Sequence, residues 1–132
     1  GARFMPYEIT EEPAGVYVRH FGFAAPFEIL EITAWEAENI RAHHAYMIAD
    51  LSAVDFDTVT SWTNAILRAV ADDETVRLPQ DYLARPFRLA FVYDNELLKS
   101  LLQSFVDSGS RPNHDLAIFR TVRQARAWVA AP

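Results

Sequence analysis

Tyr7-Glu8-Ile9-Thr10 alternates apolar and polar positions, Glu11-Glu12-Pro13-Ala14-Gly15 interrupts, and Val16-Tyr17-Val18-Arg19-His20-Phe21 resumes with β-branched and aromatic residues. This is the pattern of a β-hairpin. Gly22 closes it, and Pro26 with Glu28 suits a first helical turn, where a missing N–H is tolerated and a negative charge meets the positive dipole end. The spacing predicts a helix over 26–40: Phe27, Leu30, Ala34 and Ala37 recur at helical intervals, and Ile29, Ile32 and Trp35 widen the apolar face. The run His44–Leu51 is mostly apolar and too short for a free-standing helix, so it reads as a strand buried on both faces, with Asp50 near its C-terminal end. Asp57 or Thr58 then caps a helix through Val59, Trp62, Ile66 and Val70, ending near Asp72-Asp73. Glu74–Arg85, with Pro79 inside and Pro86 behind it, reads as the longest irregular connection. Phe87–Tyr93 is a fourth strand, and Asp94 or Asn95 caps a helix with an apolar stripe from Leu97 to Val106, broken by Gly109 and Pro112. Leu116–Arg120 is a fifth strand. Thr121 with Gln124 forms a capping box for a last helix that buries Val122, Ala125 and Val129.

The order β-β-α-β-α-β-α-β-α predicts an α/β fold. Strands joined through helices run parallel and the opening hairpin adds one antiparallel member, which gives a mixed five-stranded sheet covered by helices. At 132 residues the chain has the length of one domain, read here as 5–132. Gly1 is not a normal translation start; Met5 is a candidate natural one, and residues 1–4 read as added or disordered. Cys is absent, which excludes a cystine-stapled scaffold, a thiolate metal site and a Cys nucleophile, and fits a cytoplasmic location. No stretch reaches the ~20 apolar residues of a membrane span.

The net charge of −6 argues against a whole-surface grip on nucleic acid, and it is unevenly spread. Residues 1–76 hold 4 Arg against 13 acids, whereas residues 77–132 hold 8 basic groups against 5 acids. Arg120, Arg123 and Arg126, with Arg85 and Arg88, are candidates for an anion-attracting patch, but they lack interleaved aromatic platforms for nucleic-acid binding. His43-His44 invites a metal reading, yet neighbours entering a strand point to opposite faces, so no metal site is expected there. Walker, G-x-G-x-x-G, G-x-S-x-G and H-E-x-x-H signatures are all missing. Asp50 and Asp94 end strands expected to be parallel, and open α/β sheets place ligands beyond such ends. With Ser52, Asp57, Thr58 and Asn95 they define a candidate partner-binding rim, in which Asp57, Asp94 and Asn95 also serve as helix caps. The same carboxylates are the donors an oxygen-ligated Mg²⁺ site would use.

The element order, together with Asp50-Leu51-Ser52-Ala53-Val54-Asp55-Phe56 at the third strand, resembles the STAS family, in its single-domain SpoIIAA-like subgroup of anti-sigma-factor antagonists. The closing run Arg120-Thr121-Val122-Arg123-Gln124-Ala125-Arg126-Ala127-Trp128 is similar to that subgroup too. The resemblance implies a non-enzymatic regulatory or interaction module without a cofactor. It also implies a Ser at the helix start that is phosphorylated to switch a partner, but here the matching position is Val59, which leaves Thr58, Thr60 and Ser61 as substitutes. It extends to lipid-transfer folds of the SEC14 type, which implies a cleft for a small apolar ligand. The expected partner is therefore another protein or a small apolar or lipid molecule, and Trp and Phe side chains of the first helix are candidates for a homodimer face.

Overall fold

The hairpin forms where the alternation places it. β1 (Tyr7–Glu11) pairs antiparallel with β2 (Gly15–Gly22), which begins a parallel series with β3 (Tyr46–Val54), β4 (Phe87–Val92) and β5 (His114–Phe119). These are features of a computed structural model that describes residues 7–55, 57 and 61–132. The strands lie side by side in chain order, so the protein is α/β with a mixed five-stranded sheet. Among the described residues five helices pack on it: α1 (Pro26–Asn39), α2 (Asn64–Arg77), α3 (Gln80–Ala84), α4 (Glu96–Asp107) and α5 (Val122–Ala130). No helix among them is long and apolar enough to cross a membrane.

Alternation along the central strands separates two cores. Val16, Val18, Met47, Leu51 and Leu89 face the layer of α1 to α4, where they meet Ile32, Leu67, Val70, Leu83, Leu98 and Leu102. Ile48, Ala90 and Val92 face the other way, against Ala125 of α5, with Trp128 tilted over Phe119 at 5.4 Å. Arg88 fixes the end of α5, its guanidinium donating to the carbonyls of Trp128 at 2.7 Å and Ala131 at 2.5 Å.

Several boundaries differ from the pattern, each for a local reason. β3 runs on to Val54 because a bulge adds a residue to it between Asp50 and Ala53. α2 begins at Asn64, where extended Thr63 accepts the Ile66 N–H at 3.2 Å, and it continues to Arg77 instead of stopping at Asp72-Asp73. Its acidic run does not mark a solvated end, since Glu74 turns inward and Arg77 closes an i,i+4 pair on Asp73. Within the stretch read as irregular, Gln80–Ala84 makes a helical turn that buries Tyr82 and Leu83.

Candidate functional site

The parallel strands all end on one rim, and the chain leaves each of them into a helix N-terminus. Gly22 ends β2 with φ of 67°, the left-handed region that glycine adopts without strain, and its carbonyl accepts the Asp55 N–H at 2.8 Å. Trp62 pins the following loop by donating Nε1–H to the Ala24 carbonyl at 3.0 Å. Past β4, Asn95 caps α4 by accepting the Leu97 N–H at 2.9 Å, as expected of one of the two candidate caps.

This rim carries exposed apolar side chains, of which Phe27, Leu30 and Leu97 stand on stripes that the pattern turns inward. Phe23 is 49% exposed, Phe27 59% and Leu30 38%, all at the entry to α1, and Leu97 is 49% exposed in the first turn of α4. α1 is rotated relative to the expected stripe: Glu28, Ile32, Thr33 and Glu36 are its buried positions, and Phe27 and Leu30 face outward. Around them stand the exposed acids Glu31, Asp55, Asp57, Asp94 and Glu96.

Of the six rim residues, the five that the structure describes do not form one cluster. Asp50 is buried in mid-strand under the α5 face, where one carboxylate oxygen accepts the Tyr17 hydroxyl and the other accepts Ser52 N–H at 2.9 Å and Ser52 Oγ–H at 2.6 Å. It thus satisfies a backbone donor at the bulge and is not offered to a partner. Burial, and then the Asp50 hydrogen bond, pushes the Tyr17 hydroxyl up to about 12, so it stays a donor. Ser52, Asp57 and Asp94 are exposed, the last 3.7 Å from the Arg120 guanidinium. Thr58 and Thr60 lie outside the described residues, as do Phe56 and Val59, and Ser61 is half-buried. Among the described residues no group of three or more His, Asp or Glu is placed to hold a metal ion. The rings of His43 and His44 do come together, at 4.2 Å, because both precede β3 in a turn. His44, however, is buried, accepts the Arg41 N–H on Nδ1 at 2.9 Å and turns Nε2 towards Glu11 at 3.3 Å.

Of the arginines read as an anion patch, Arg126, Arg88 and Arg85 are committed separately, while Arg120 and Arg123 stand exposed. Arg126 clamps Glu12 at 2.8 Å, Arg88 holds the end of α5, and Arg85 donates to the carbonyls of His44 at 2.7 Å and Arg41 at 2.9 Å.

At the opposite edge of the sheet lies a buried cluster that the pattern did not disclose. Arg111 reaches Glu36 at 2.8 Å and Glu74 at 2.8 Å and donates to the Tyr82 hydroxyl at 3.2 Å, while Tyr82 donates to Glu36 at 2.5 Å. Burial opposes the Arg111 charge, but the two carboxylates outweigh it and hold the guanidinium well above its ordinary range; burial pushes the Glu74 carboxyl up. A signal was present. Ile29-Ile32-Thr33-Glu36 and Leu67-Val70-Ala71-Glu74 share one spacing, so each Glu occupies the next inward position of a stripe that is apolar but for Thr33.

Comparison of the chain with protein-family profiles, with curated proteins and with solved structures finds no match.

Proposed function

We propose that the protein is a non-enzymatic binding module that engages another protein through the rim at the C-terminal ends of β2, β3 and β4. The observation that carries this reading is the exposure of Phe23, Phe27, Leu30 and Leu97 on one rim, while Val76 is the only other large apolar side chain so exposed among the described residues. Aromatic and aliphatic anchors within a polar surround are the usual energetic centre of a protein interface. The surrounding Glu31, Asp55, Asp57, Asp94 and Glu96 favour a partner with basic groups flanking an apolar segment. The SpoIIAA-like STAS reading supports the same class of function, resting on the element order and on Asp50–Val54 filling the C-terminal half of β3. A regulatory role in the cytoplasm, where a chain without Cys loses nothing, belongs to that reading.

A second reading, a carrier of a small apolar ligand, draws on a cavity of about 70 Å³ between the sheet and α1, α2 and α4. A lipid chain exceeds that volume, so this reading needs a much smaller guest or a displaced helix.

The test is capture of interacting proteins by the native chain, by Phe23→Ser/Phe27→Ser and by Val76→Ser, followed by amide-shift mapping with the captured partner. The rim variant is expected to weaken binding about tenfold or more, and Val76→Ser to leave it unchanged. A partner held equally by the rim variant, or shifts confined to the opposite edge of the sheet, overturns the proposal.

A further inference from the structure

β5 is the last strand of the sheet, and its outer edge is unpaired. Among the described residues no strand lies beyond it, so the ladder with β4 engages only one side of its backbone. The register fixes which side. Val92 stands beside Phe119, and the Phe119 carbonyl accepts the Tyr93 N–H at 2.9 Å, so Asp115, Ala117 and Phe119 turn their backbone groups to β4 while His114, Leu116 and Ile118 turn theirs outward. The outward N–H of His114 is taken by the Arg111 carbonyl at 3.1 Å, and that of Arg120, past the strand end, by the Gln124 side chain at 3.2 Å. The outward N–H and C=O groups of Leu116 and Ile118 have no such partner among the described residues.

A free strand edge is a template for another chain, and proteins blunt such edges with charge, proline or a covering segment. The opposite edge is blunted: β1 exposes Glu8 and Glu11, and Pro13 follows it. β5 has a single carboxylate, Asp115, and neither Lys nor Arg. Leu116 to Phe119 are only half-buried, although α4 and α5 pack on either side of them. On the α4 face Leu116 and Ile118 join the core of Leu98 and Leu102, and on the α5 face Phe119 joins Ala125 and Trp128. A strand added here therefore extends two apolar layers at once.

We propose that β5 pairs antiparallel with β5 of a second copy of this chain, about a two-fold axis through Ala117, so that one continuous sheet crosses the dimer. The free groups are placed for it. Leu116 and Ile118 flank Ala117, so Leu116 exchanges both N–H···O bonds with Ile118 of the second copy, Ile118 does the same with Leu116 of the second copy, and none of these groups is left over. Ala117 meets its own copy at the non-hydrogen-bonded position, where Cα atoms approach to about 4.5 Å and a methyl side chain fits. Charges avoid their own kind in this register: Asp115 lies opposite Phe119 and Arg120 opposite His114, while Leu116 and Ile118 form apolar cross-strand pairs on the α4 face. The pairing does not depend on the rim and stands whether or not a protein partner binds there.

Sedimentation equilibrium and amide hydrogen exchange on the full chain test the assignment. A dimer that dissociates on dilution is expected, with the Leu116 and Ile118 amides exchanging at least about tenfold more slowly in the dimer than in the monomer. The Ala117 amide, bonded to β4 in either state, is expected to be protected in both. Ile118→Pro removes an outward N–H that β4 does not use, a position where an edge strand tolerates proline, and is expected to raise the dimer dissociation constant at least about tenfold. If that variant does not fold, the residue-by-residue protection in the native chain decides alone. A chain that stays monomeric up to about 1 mM overturns the proposal. So does a dimer whose Leu116 and Ile118 amides exchange as in the monomer, which is the result that joining through α1 or the rim would give.

Discussion

Arg111 illustrates how one side chain fixes the roles of several others. Three charged groups share an interior where each alone would be strongly penalised, and they are tolerable because every Arg111 nitrogen faces a carboxylate or the Tyr82 hydroxyl. Removing the cation strands two acids. Arg111→Met is expected to destabilise the fold by about 3–5 kcal/mol, measured by urea unfolding at pH 7. Replacing the set, as Glu36→Leu/Glu74→Leu/Arg111→Met, is expected to recover most of that loss, because desolvation of all three charges is relieved together. A triple variant no more stable than the single one would mean that the cluster's geometry, and not its charge balance, holds this edge. Arg111 itself was hidden from sequence reasoning because it lies between Gly109 and Pro112, in what reads only as a breaker. Its partners were legible in principle, each standing where helical spacing calls for an apolar side chain.

Elements were more legible than the faces they present. The five strands and the helices after β2, β4 and β5 follow from alternation, from apolar spacing and from Asn95 and Thr121, whose side chains cap as the sequence suggests. Gln124 completes the box one residue early, accepting the Arg120 N–H and not that of Thr121. Rotation about a helix axis is less legible when apolar residues surround it. In α1 both candidate stripes contain large apolar groups, and the buried Glu36 contact decides which turns inward. Helix ends depend on single hydrogen bonds, so they are open to direct test. Thr63→Ala removes the acceptor for the Ile66 N–H and is expected to cost about 1 kcal/mol of stability, measured by urea unfolding, with Thr63→Ser close to native. Arg88→Met removes the donors at the C-terminus of α5 and is expected to lower hydrogen-exchange protection in the last turn of α5 while leaving α2 unchanged.

At the scale of the whole molecule, the histidines set the response to acid. Burial, opposed by the Asp50 carboxylate, pushes His20 down to about 4, from an ordinary value of 6.5. Burial lowers His44 and His114 as well. Above pH 6.5 both folded and unfolded chains hold these rings neutral, and no penalty arises. Below 6.5 the unfolded chain takes up a proton that the folded His20 refuses, so stability falls until the pH reaches about 4. At about 1.4 kcal/mol per unit, His20 alone removes roughly 3 kcal/mol over that window, a large part of a typical ~5–15 kcal/mol total. Glu28 and Glu74, raised by burial, act in the opposite sense as they protonate, and Glu12, lowered chiefly by its hydrogen bond from Arg126, adds to the loss below about 4.5. The window from pH 6.5 to 5 lies above the loss from Glu12, and comparing the native chain with a His20 variant across it separates the imidazole from Glu28 and Glu74. Urea midpoints measured across it are expected to fall steeply for the native chain and less steeply for His20→Gln, which keeps a polar group at the cavity wall without a titrating proton. Parallel curves would show that His20 opens to solvent before it protonates, and with it the wall it forms.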